Sequence, residues 1–304
     1  MEDYPRTLME LERRFSTEEA CRAYLFALRW PEGFVCPRCG GKRAWPMSRS
    51  LWLCGTCRRQ TSVMAGTIFQ DSRLPLQLWF RAMWHVTSQK NGASALGVQR
   101  VLGLGSYQTA WVWLHKLRRA MVRPGRDRLS GTVEVNETYW GTEEKGVVGR
   151  LTEDKALVIV AVQQDGAGKI GRIRMRHIPD LTRATLHAFI KENVEPGSVV
   201  RTDGLSAYPG LTGYHHRPVV VGGGGKPNPE LPRVHTVISL AKRWLLGTHQ
   251  GAVSHKHLDY YLDEFTFRFN RRTSASRGKL FYRLVQQAVQ VEPHPYRKLV
   301  TPNR

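Results

Sequence analysis

The order of elements after residue 130 predicts an α/β chain with a ribonuclease-H-like mixed sheet flanked by helices. The patterns there indicate three antiparallel strands, a helix, two strands and two helices. Two Cys-x-x-Cys pairs upstream predict a zinc ribbon, and two short helical patterns joined by a glycine turn predict a helix-turn-helix. We therefore expect five segments: a helical lead at 1–30, a zinc ribbon at 31–70, a helical region at 71–125, the ribonuclease-H-like domain at 130–290 and a tail at 291–304.

The charge of the chain limits its partners. The 304 residues include 46 Lys and Arg against 25 Asp and Glu, a formal net charge of +21. An excess of this size fits a polyanion, with nucleic acid favoured over an acidic membrane surface. The sequence has no run of about 18 apolar residues, and Met1–Tyr4 lacks a signal-peptide pattern. We therefore expect a cytoplasmic chain with no membrane partner, whose cysteines bind metal because that compartment is reducing.

An amphipathic helix is predicted in the lead. Residues 16–19 (Ser-Thr-Glu-Glu) resemble an N-cap and first turn, and apolar residues recur at helical spacing from Ala20 to Leu28. Cys21 lies alone on this helix. We expect it to be a buried structural thiol, because free cysteine is among the most buried residue types.

Four further cysteines predict a closed zinc site. Cys36 and Cys39 form one Cys-x-x-Cys pair, Cys54 and Cys57 form the second, and 14 residues separate the pairs. Each pair presents two thiolates from one tight turn, so two turns complete a tetrahedral Zn²⁺ site. A redox Cys-x-x-Cys motif needs one pair and does not explain two. Four thiolates leave no open coordination position, which indicates a structural rather than catalytic ion.

The loops of the ribbon combine glycines with basic residues. Gly40 and Gly55 are expected to supply the permissive backbone of the two turns, and 43–53 is predicted to be strand. The basic residues could contact phosphates or form a solvated rim; they are Lys42, Arg43, Arg49, Arg58 and Arg59.

Residues 60–92 are predicted to begin as an extended arm and to continue as a helix from Pro75. Its apolar residues (Leu78, Trp79, Met83 and Trp84) fit a protein core better than base stacking.

The helical pair at 93–121 carries the second group of candidate DNA contacts. Residues 93–102 and 107–121 are the predicted helices, with Ser106 as N-cap of the second. That helix is apolar on one face and carries His115, Lys116, Arg118 and Arg119 elsewhere. It suits a recognition helix in the major groove, and an ordinary helical hairpin is the alternative. The candidate DNA contacts are Lys116, Arg118, Arg119, Arg58 and Arg59.

After a linker at 123–126 the patterns change to strands. The predicted strands are 133–139, 156–162, 171–178, 199–204 and 215–221, and the helices are 181–193, 234–246 and 256–271. The run at 156–162 is apolar enough to be buried on both faces, whereas 171–178 alternates and predicts a half-exposed strand with its arginines outward. A flexible loop that faces DNA is expected at 222–232.

The strand at 133–139 has a polar face. Val133 and Val135 point to one side, while Glu134, Asn136 and Thr138 point to the other. An edge strand with one wet face explains this pattern. A metal-binding strand at the centre of a nuclease-like site explains it equally, since burying an unpartnered carboxylate is costly.

Several motifs together resemble the IS1595 (ISXO2-like) group of insertion-sequence transposases. The resemblance covers 15–289 and rests on the zinc ribbon and on Gln60–Val63, Gly66–Phe69, Asn136–Tyr139, Thr202–Gly204, Lys242–Leu245, Gly247–His249, Tyr261–Phe265 and Phe267–Arg272. It implies a DDE-type transposase that binds the terminal inverted repeats of its element, cuts them and joins them to a target. It also implies double-stranded DNA as partner, a homo-oligomer on that DNA, and a bacterial, nucleoid-associated location.

The resemblance also implies the site residues. In this family, carboxylates on adjacent strands hold two Mg²⁺ or Mn²⁺ ions, one activating water or a 3′-hydroxyl and the other stabilising the leaving oxygen. The first acid belongs at the position of Asn136, and the second is Asp203. The third group varies in the family and is followed seven residues later by a basic residue. His235 and Lys242 have that spacing, and Glu264 is the rival third ligand or, more simply, a paired acid of an amphipathic helix.

Asn136 departs from the family pattern, which has Asp there. A neutral amide oxygen binds Mg²⁺ far less well than a carboxylate, because hard cations favour charged oxygen ligands. Glu134 lies two residues back on the same face and could partly compensate, whereas Glu137 points away. We therefore predict weak or absent catalysis with fold and DNA binding retained. The alternative class is a catalytically inactive, transposase-derived DNA-binding protein; a zinc hydrolase is disfavoured because four cysteines fill the zinc.

Overall fold

Two compact units make up this computed structural model. One unit comprises 1–123 with 273–304, and the other comprises 124–272. The structure describes residues 2–123, 125–141, 155–219, 230–251 and 253–300. None of the helices in that described part of the chain is long and apolar enough to cross a membrane.

The first unit opens with helices α1 (Leu8–Arg14) and α2 (Glu18–Arg29). Thr17 caps α2 as predicted, because its side chain accepts a hydrogen bond from the backbone N–H of Ala20 at 3.2 Å. Such a cap stabilises a helix by about 1 kcal/mol. Cys21 is fully buried, and burial raises the pKa of its thiol to about 12. The residue is therefore the packed, unreactive thiol that the sequence predicts.

A small antiparallel sheet follows, formed by strands β1 (Ala44–Met47), β2 (Leu51–Cys54) and β3 (Gln60–Ser62) in that order. The segment predicted as strand at 43–53 is therefore a hairpin. Arg49 and Ser50 make its turn with φ angles of 57° and 56°, a conformation that sequence patterns for strands do not reveal.

Three helices come next: α3 (Leu76–Ser88), α4 (Ala95–Leu102) and α5 (Tyr107–Ala120). Ser106 caps α5 as predicted, accepting a hydrogen bond from the N–H of Gln108 at 3.1 Å. Gly103 ends α4 in the left-handed region, with φ +61°, which only glycine adopts without cost. The helical pair and its turn are thus confirmed as structure, and their role on DNA stays a prediction.

The core of this unit is aromatic. Trp79 and Met83 of α3 are fully buried, and Trp79 stacks on Trp113 with ring centroids 4.0 Å apart. The prediction that the α3 aromatics belong to the core is confirmed.

Helices α9 (Arg277–Ala288) and α10 (Tyr296–Val300) complete the first unit. Helix α9 packs against α2, α3 and α5. Phe281 of α9 contacts the rings of Phe80 and Phe15. Residues from 273 onward therefore group with the N-terminal unit.

The second unit is built on a five-stranded mixed sheet. Its strands are β4 (Thr132–Trp140), β5 (Ala156–Gln164), β6 (Ile170–Ile178), β7 (Val199–Thr202) and β8 (His215–Pro218). The order across the sheet is β6-β5-β4-β7-β8, with β4 to β6 antiparallel and β7 and β8 parallel to β4. The mixed α/β arrangement that the sequence predicts is confirmed.

Helices cover both faces of this sheet: α6 (Arg183–Asn193), α7 (Pro232–His249) and α8 (Leu258–Phe269). Val158 and Val160 of β5 pack in one apolar cluster with Val234 of α7. Ile159 packs on the opposite face in a second cluster with Phe189 of α6. The apolar run of β5 is therefore buried on both faces, as its composition predicts.

Strand β6 corrects one expectation. Arg174 is 5% exposed rather than outward-facing. Its guanidinium donates to the carbonyl oxygens of Ile173 and Asp127 at 2.9 and 2.6 Å, and burial lowers its pKa to about 10. The interior position is tolerated because these carbonyls satisfy the buried donors.

The free edge of β6 is closed by side chains. Asn270 accepts from the N–H of Ile173 at 2.7 Å and donates to its carbonyl at 3.1 Å, and Asp259 accepts from the N–H of His177 at 2.8 Å. This pairing protects an edge strand from association. Of the loop expected at 222–232, residues up to 229 lie outside the described part of the chain.

Candidate catalytic and zinc sites

The four cysteines of the ribbon converge on one point. Their Sγ atoms lie within 4.8 Å of one another. The Cys36–Cys57 and Cys39–Cys54 Sγ pairs are 3.6 and 3.7 Å apart. A tetrahedron with Zn–S bonds of about 2.3 Å has S···S edges of about 3.8 Å, so the cluster fits Zn²⁺.

The two Cys-x-x-Cys turns have their positive φ angle at different positions. Gly40 has φ +71°, as the prediction for a permissive residue requires. In the second turn the positive φ of 57° falls on Arg58 and not on Gly55. Gly55 is needed for space, since a Cβ there would lie 3.0 Å from the ring of Trp45. The Thr56 N–H reaches Cys54 Sγ at 3.4 Å, and hydrogen bonds from the Cys57 and Thr56 backbone lower the pKa of the Cys54 thiol, which favours the metal-binding thiolate.

Strand β4 carries Asn136, and the neighbouring strand β7 leads into Asp203. The two strands are parallel and adjacent, with Glu134 opposite Arg201. Asn136 of β4 and Asp203, which directly follows β7, each lie two residues beyond that pair. Asn136 is 8% exposed, and its Oδ1 accepts from the N–H of Glu137 at 2.9 Å. Asp203 is partly exposed, and its Oδ1 accepts from the N–H of Leu205 at 3.0 Å.

Helix α7 brings His235 toward this pair. Burial lowers the pKa of His235, and the carboxylates of Glu134 and Asp203 oppose that shift. Both acids are therefore near enough to act on the imidazole electrostatically. Lys242 lies two helical turns later on α7. Burial and the charge of Lys155 lower the pKa of Lys242, so a second cation, which sequence reasoning missed, lies near this one.

Glu134 was expected to be available as a metal ligand, but its carboxylate binds the start of α7. Its side chain is fully buried and accepts three hydrogen bonds from the first turn of α7. Glu137 faces away, as predicted, and accepts from the hydroxyl of Tyr208 at 2.9 Å. Tyr208 belongs to the segment directly after Asp203, so β4 is tied to that segment too.

Glu264 lies elsewhere in the unit. It is fully buried on α8, and α8 packs against β6 at the far end of the sheet from β7. Helix α7, which carries His235, packs against β4 and β5 instead. This arrangement favours His235 over Glu264 as the group near Asn136 and Asp203.

The donor set does not fit a pair of Mg²⁺ ions. Asn136 offers a neutral amide oxygen, Asp203 one carboxylate and His235 an imidazole. Two divalent ions about 3.5–4 Å apart require more negative charge than one carboxylate provides. Within the described ranges, the four cysteines are the one group of three or more His, Cys, Asp or Glu side chains that could hold a metal ion.

The basic side chains that are candidate DNA contacts differ in their exposure to solvent. Arg58, Arg59 and Arg119 are exposed, and Lys116 is half-buried beside Trp79, where burial lowers the pKa of its amine. Arg118 is 1% exposed. A guanidinium that water does not reach cannot contact a phosphate, so the expectation for Arg118 is corrected.

Comparison with known proteins gives two matches to family models. Residues 128–270 match the ISXO2-like transposase domain, and residues 16–60 match the transposase zinc-ribbon domain. A relative of Halobacterium salinarum, described as an uncharacterized protein in transposable element ISH50, is 28% identical over 84% of this chain and 92% of its own length. The catalytic core domain of BIV integrase is a similar solved structure, with a TM-score of 0.33 and 15% identity over 49% of this chain and 89% of that domain.

Both matched models describe parts of transposases, and their ranges together cover more than half of the chain. The chain belongs to the IS1595 (ISXO2-like) family of insertion-sequence transposases, with its zinc ribbon ahead of the transposase domain.

Proposed function

We propose that this chain binds the terminal inverted repeats of its element as a DDE-type DNA transposase, and that Asn136 leaves strand cleavage and transfer weak or absent. The observation that supports the proposal is the parallel pairing of β4 with β7, since Asn136 and Asp203 each lie two residues beyond the Glu134–Arg201 pair. Ligands of α/β sheets bind where parallel strands end. Family membership and a net charge of +21 support DNA as the substrate.

Each residue has a proposed role. Asp203 supplies the remaining carboxylate, and His235 is the third polar group near it. Lys242, with Lys155 close by, neutralises a DNA phosphate. Arg58, Arg59 and the exposed face of α5 hold the duplex, and a homo-oligomer joins two ends. A catalytically inactive DNA-binding protein is the second candidate, favoured by the single carboxylate among the three expected ligands.

The experiment compares binding and cutting on the same DNA. Electrophoretic binding to the inverted repeats and to a scrambled duplex is measured beside strand cleavage in Mg²⁺ and in Mn²⁺. We expect preferential binding to the repeats with little cleavage. Equal affinity for both duplexes would contradict the proposed substrate, and robust cleavage by the unaltered chain would contradict the proposed impairment.

Arg119→Ala tests the helical pair. Arg119 is exposed on α5, and losing one phosphate contact should weaken binding to both duplexes alike and lower the slope of log affinity against log salt by about 1. Arg13→Ala is the matched control, since Arg13 is an exposed arginine of α1 in the same unit. An unchanged salt slope in Arg119→Ala, or an equal change in Arg13→Ala, would remove α5 from the interface.

A further inference from the structure

Glu134 is an acid inside the second unit whose hydrogen bonds are directed at one helix. Its Oε2 accepts from the backbone N–H groups of Arg233 and Val234, each at 2.9 Å. Its Oε1 accepts from Nη1 of Arg233 at 2.7 Å. The side chain is 0% exposed. Three charge-assisted hydrogen bonds explain how a carboxylate remains in the interior.

The first turn of α7 needs such a partner. Leu231 is its N-cap residue and gives no side-chain cap, and Pro232 has no N–H to donate. The next N–H groups, those of Arg233 and Val234, have no partner within the helix. Glu134 reaches them from β4, a strand about one hundred residues earlier, and puts a negative charge at the positive end of the helix dipole.

Arg233 extends the connection to a second place on the sheet. Its Nε and Nη2 donate to the carbonyl oxygen of Gly168 at 2.9 and 2.6 Å. Gly168 lies in the turn between β5 and β6. The start of α7 is therefore fixed to β4 through Glu134 and to the β5–β6 turn through Arg233.

We propose that Glu134 is a positioning residue that sets the place of His235 relative to Asn136 and Asp203, an inference that rests on the proposed function of that site. His235 directly follows Val234, so the turn held by Glu134 also carries the imidazole. Three hydrogen bonds use most of the lone pairs of the carboxylate, which leaves it a tether and not a metal ligand.

Amide hydrogen exchange on the full chain without divalent metal tests the tether. In Glu134→Gln, the amide NH₂ meets donors where the carboxylate accepted, so the protection of the Arg233 and Val234 amides should fall about ten- to hundredfold. Glu134→Asp, which keeps the charge but shortens the side chain, should lose less. A metal ligand would leave exchange in the metal-free protein unchanged in both variants, and that result would overturn the proposal.

Glu192→Gln is the matched control. Glu192 pairs with Arg176 at the surface of the same unit, so its loss should leave the first turn of α7 protected. Should Glu134→Gln fail to fold, Glu134→Asp decides alone: unchanged protection at Arg233 and Val234 rejects the tether, and a loss confined to that turn supports it.

Cleavage in the Asn136→Asp background gives the second readout. Adding Glu134→Gln should lower kcat about a hundredfold, the scale of a misplaced catalytic group, with KM for DNA unchanged. Because partial unfolding would also lower the apparent kcat at unchanged KM, each rate is divided by the folded fraction of that variant. A rise in KM with kcat retained would overturn the positioning role. If Asn136→Asp itself cleaves nothing, the proposed function fails, and hydrogen exchange still decides whether Glu134 holds α7.

Discussion

Replacing Asn136 with aspartate is expected to raise metal-dependent DNA cleavage by about a hundredfold or more, without changing affinity for the inverted repeats. The change adds a carboxylate on β4, next to the strand whose end leads into Asp203. Even outer-shell partners of a metal ligand change affinity or activity about 10- to 100-fold, so restoring a ligand itself should have at least that effect.

The fold should accept this substitution, because aspartate and asparagine have nearly the same shape. Asn136 is 8% exposed, and its Oδ1 already acts as an acceptor for the N–H of Glu137. A carboxylate beside Asp203 nevertheless adds like charge to a partly desolvated site, which is unfavourable without a cation. In buffer that holds no divalent ion besides the bound zinc, we therefore expect Asn136→Asp to melt at a lower temperature than the unaltered chain and to recover on addition of Mg²⁺.

The measurement is initial-rate cleavage of labelled repeat DNA by the unaltered chain, by Asn136→Asp and by Asn136→Asp with Asp203→Asn. The double variant is the control, since it moves the amide from one strand to the other and keeps the total charge. It should be as inactive as the unaltered chain. Equal, robust cleavage by the unaltered chain and Asn136→Asp would show that the amide does not limit the reaction. Full activity in the double variant would place the chemistry away from Asp203.

Local patterns predicted the framework of this site well. The two-residue period of β4 assigns Val133 and Val135 to one face and Glu134 and Asn136 to the other, and the structure has the valines in the cluster that contains α6. Strand geometry alone dictates that alternation. The adjacency of β4 and β7 does not follow from the order of elements, because helix α6 joins β7 to β6 at the sheet edge whereas β7 pairs with β4, three strands earlier in the chain.

The sequence does not show which group each buried polar side chain pairs with. The pairing of Glu134 with Arg233 spans almost one hundred residues, and no local pattern encodes a contact at that separation. Pro232 signals the start of α7, but it does not indicate that a distant strand caps the helix. For this reason the sequence suggested that Glu134 is an additional metal ligand, whereas in the structure it caps helix α7.

Arg118 illustrates the same limit on helices. A single apolar stripe on α5 assigns Arg118 to the polar side, yet α9 also packs against α5 in the structure. Helix α9 is more than 150 residues later in the chain, so no pattern within α5 reveals that contact. An amphipathic pattern identifies one buried face, and a second partner buries residues that the pattern leaves outside.

Removing zinc is expected to unfold the ribbon while the second unit remains folded. The three strands of the ribbon have four, four and three residues, too few to bury a core of their own. Structural Zn²⁺ contributes about 10–16 kcal/mol in comparable small sites, more than the whole stability of many domains. Chelation, or Cys54→Ser, should therefore abolish amide protection at β1 to β3 and reduce the DNA affinity that Arg58 and Arg59 supply.

Zinc content and hydrogen exchange measure this outcome in the full chain. The unaltered protein should bind one zinc per chain, and Cys54→Ser should bind none stably. Cys21→Ala is the matched control, because Cys21 is buried on α2 and is not part of the metal cluster. It should keep one zinc and a protected ribbon even if the unit is less stable. Protection at β1 to β3 that survives chelation would mean that contacts between α2 and the ribbon, such as the Phe26–Trp52 stack at 4.5 Å, hold the sheet without the ion.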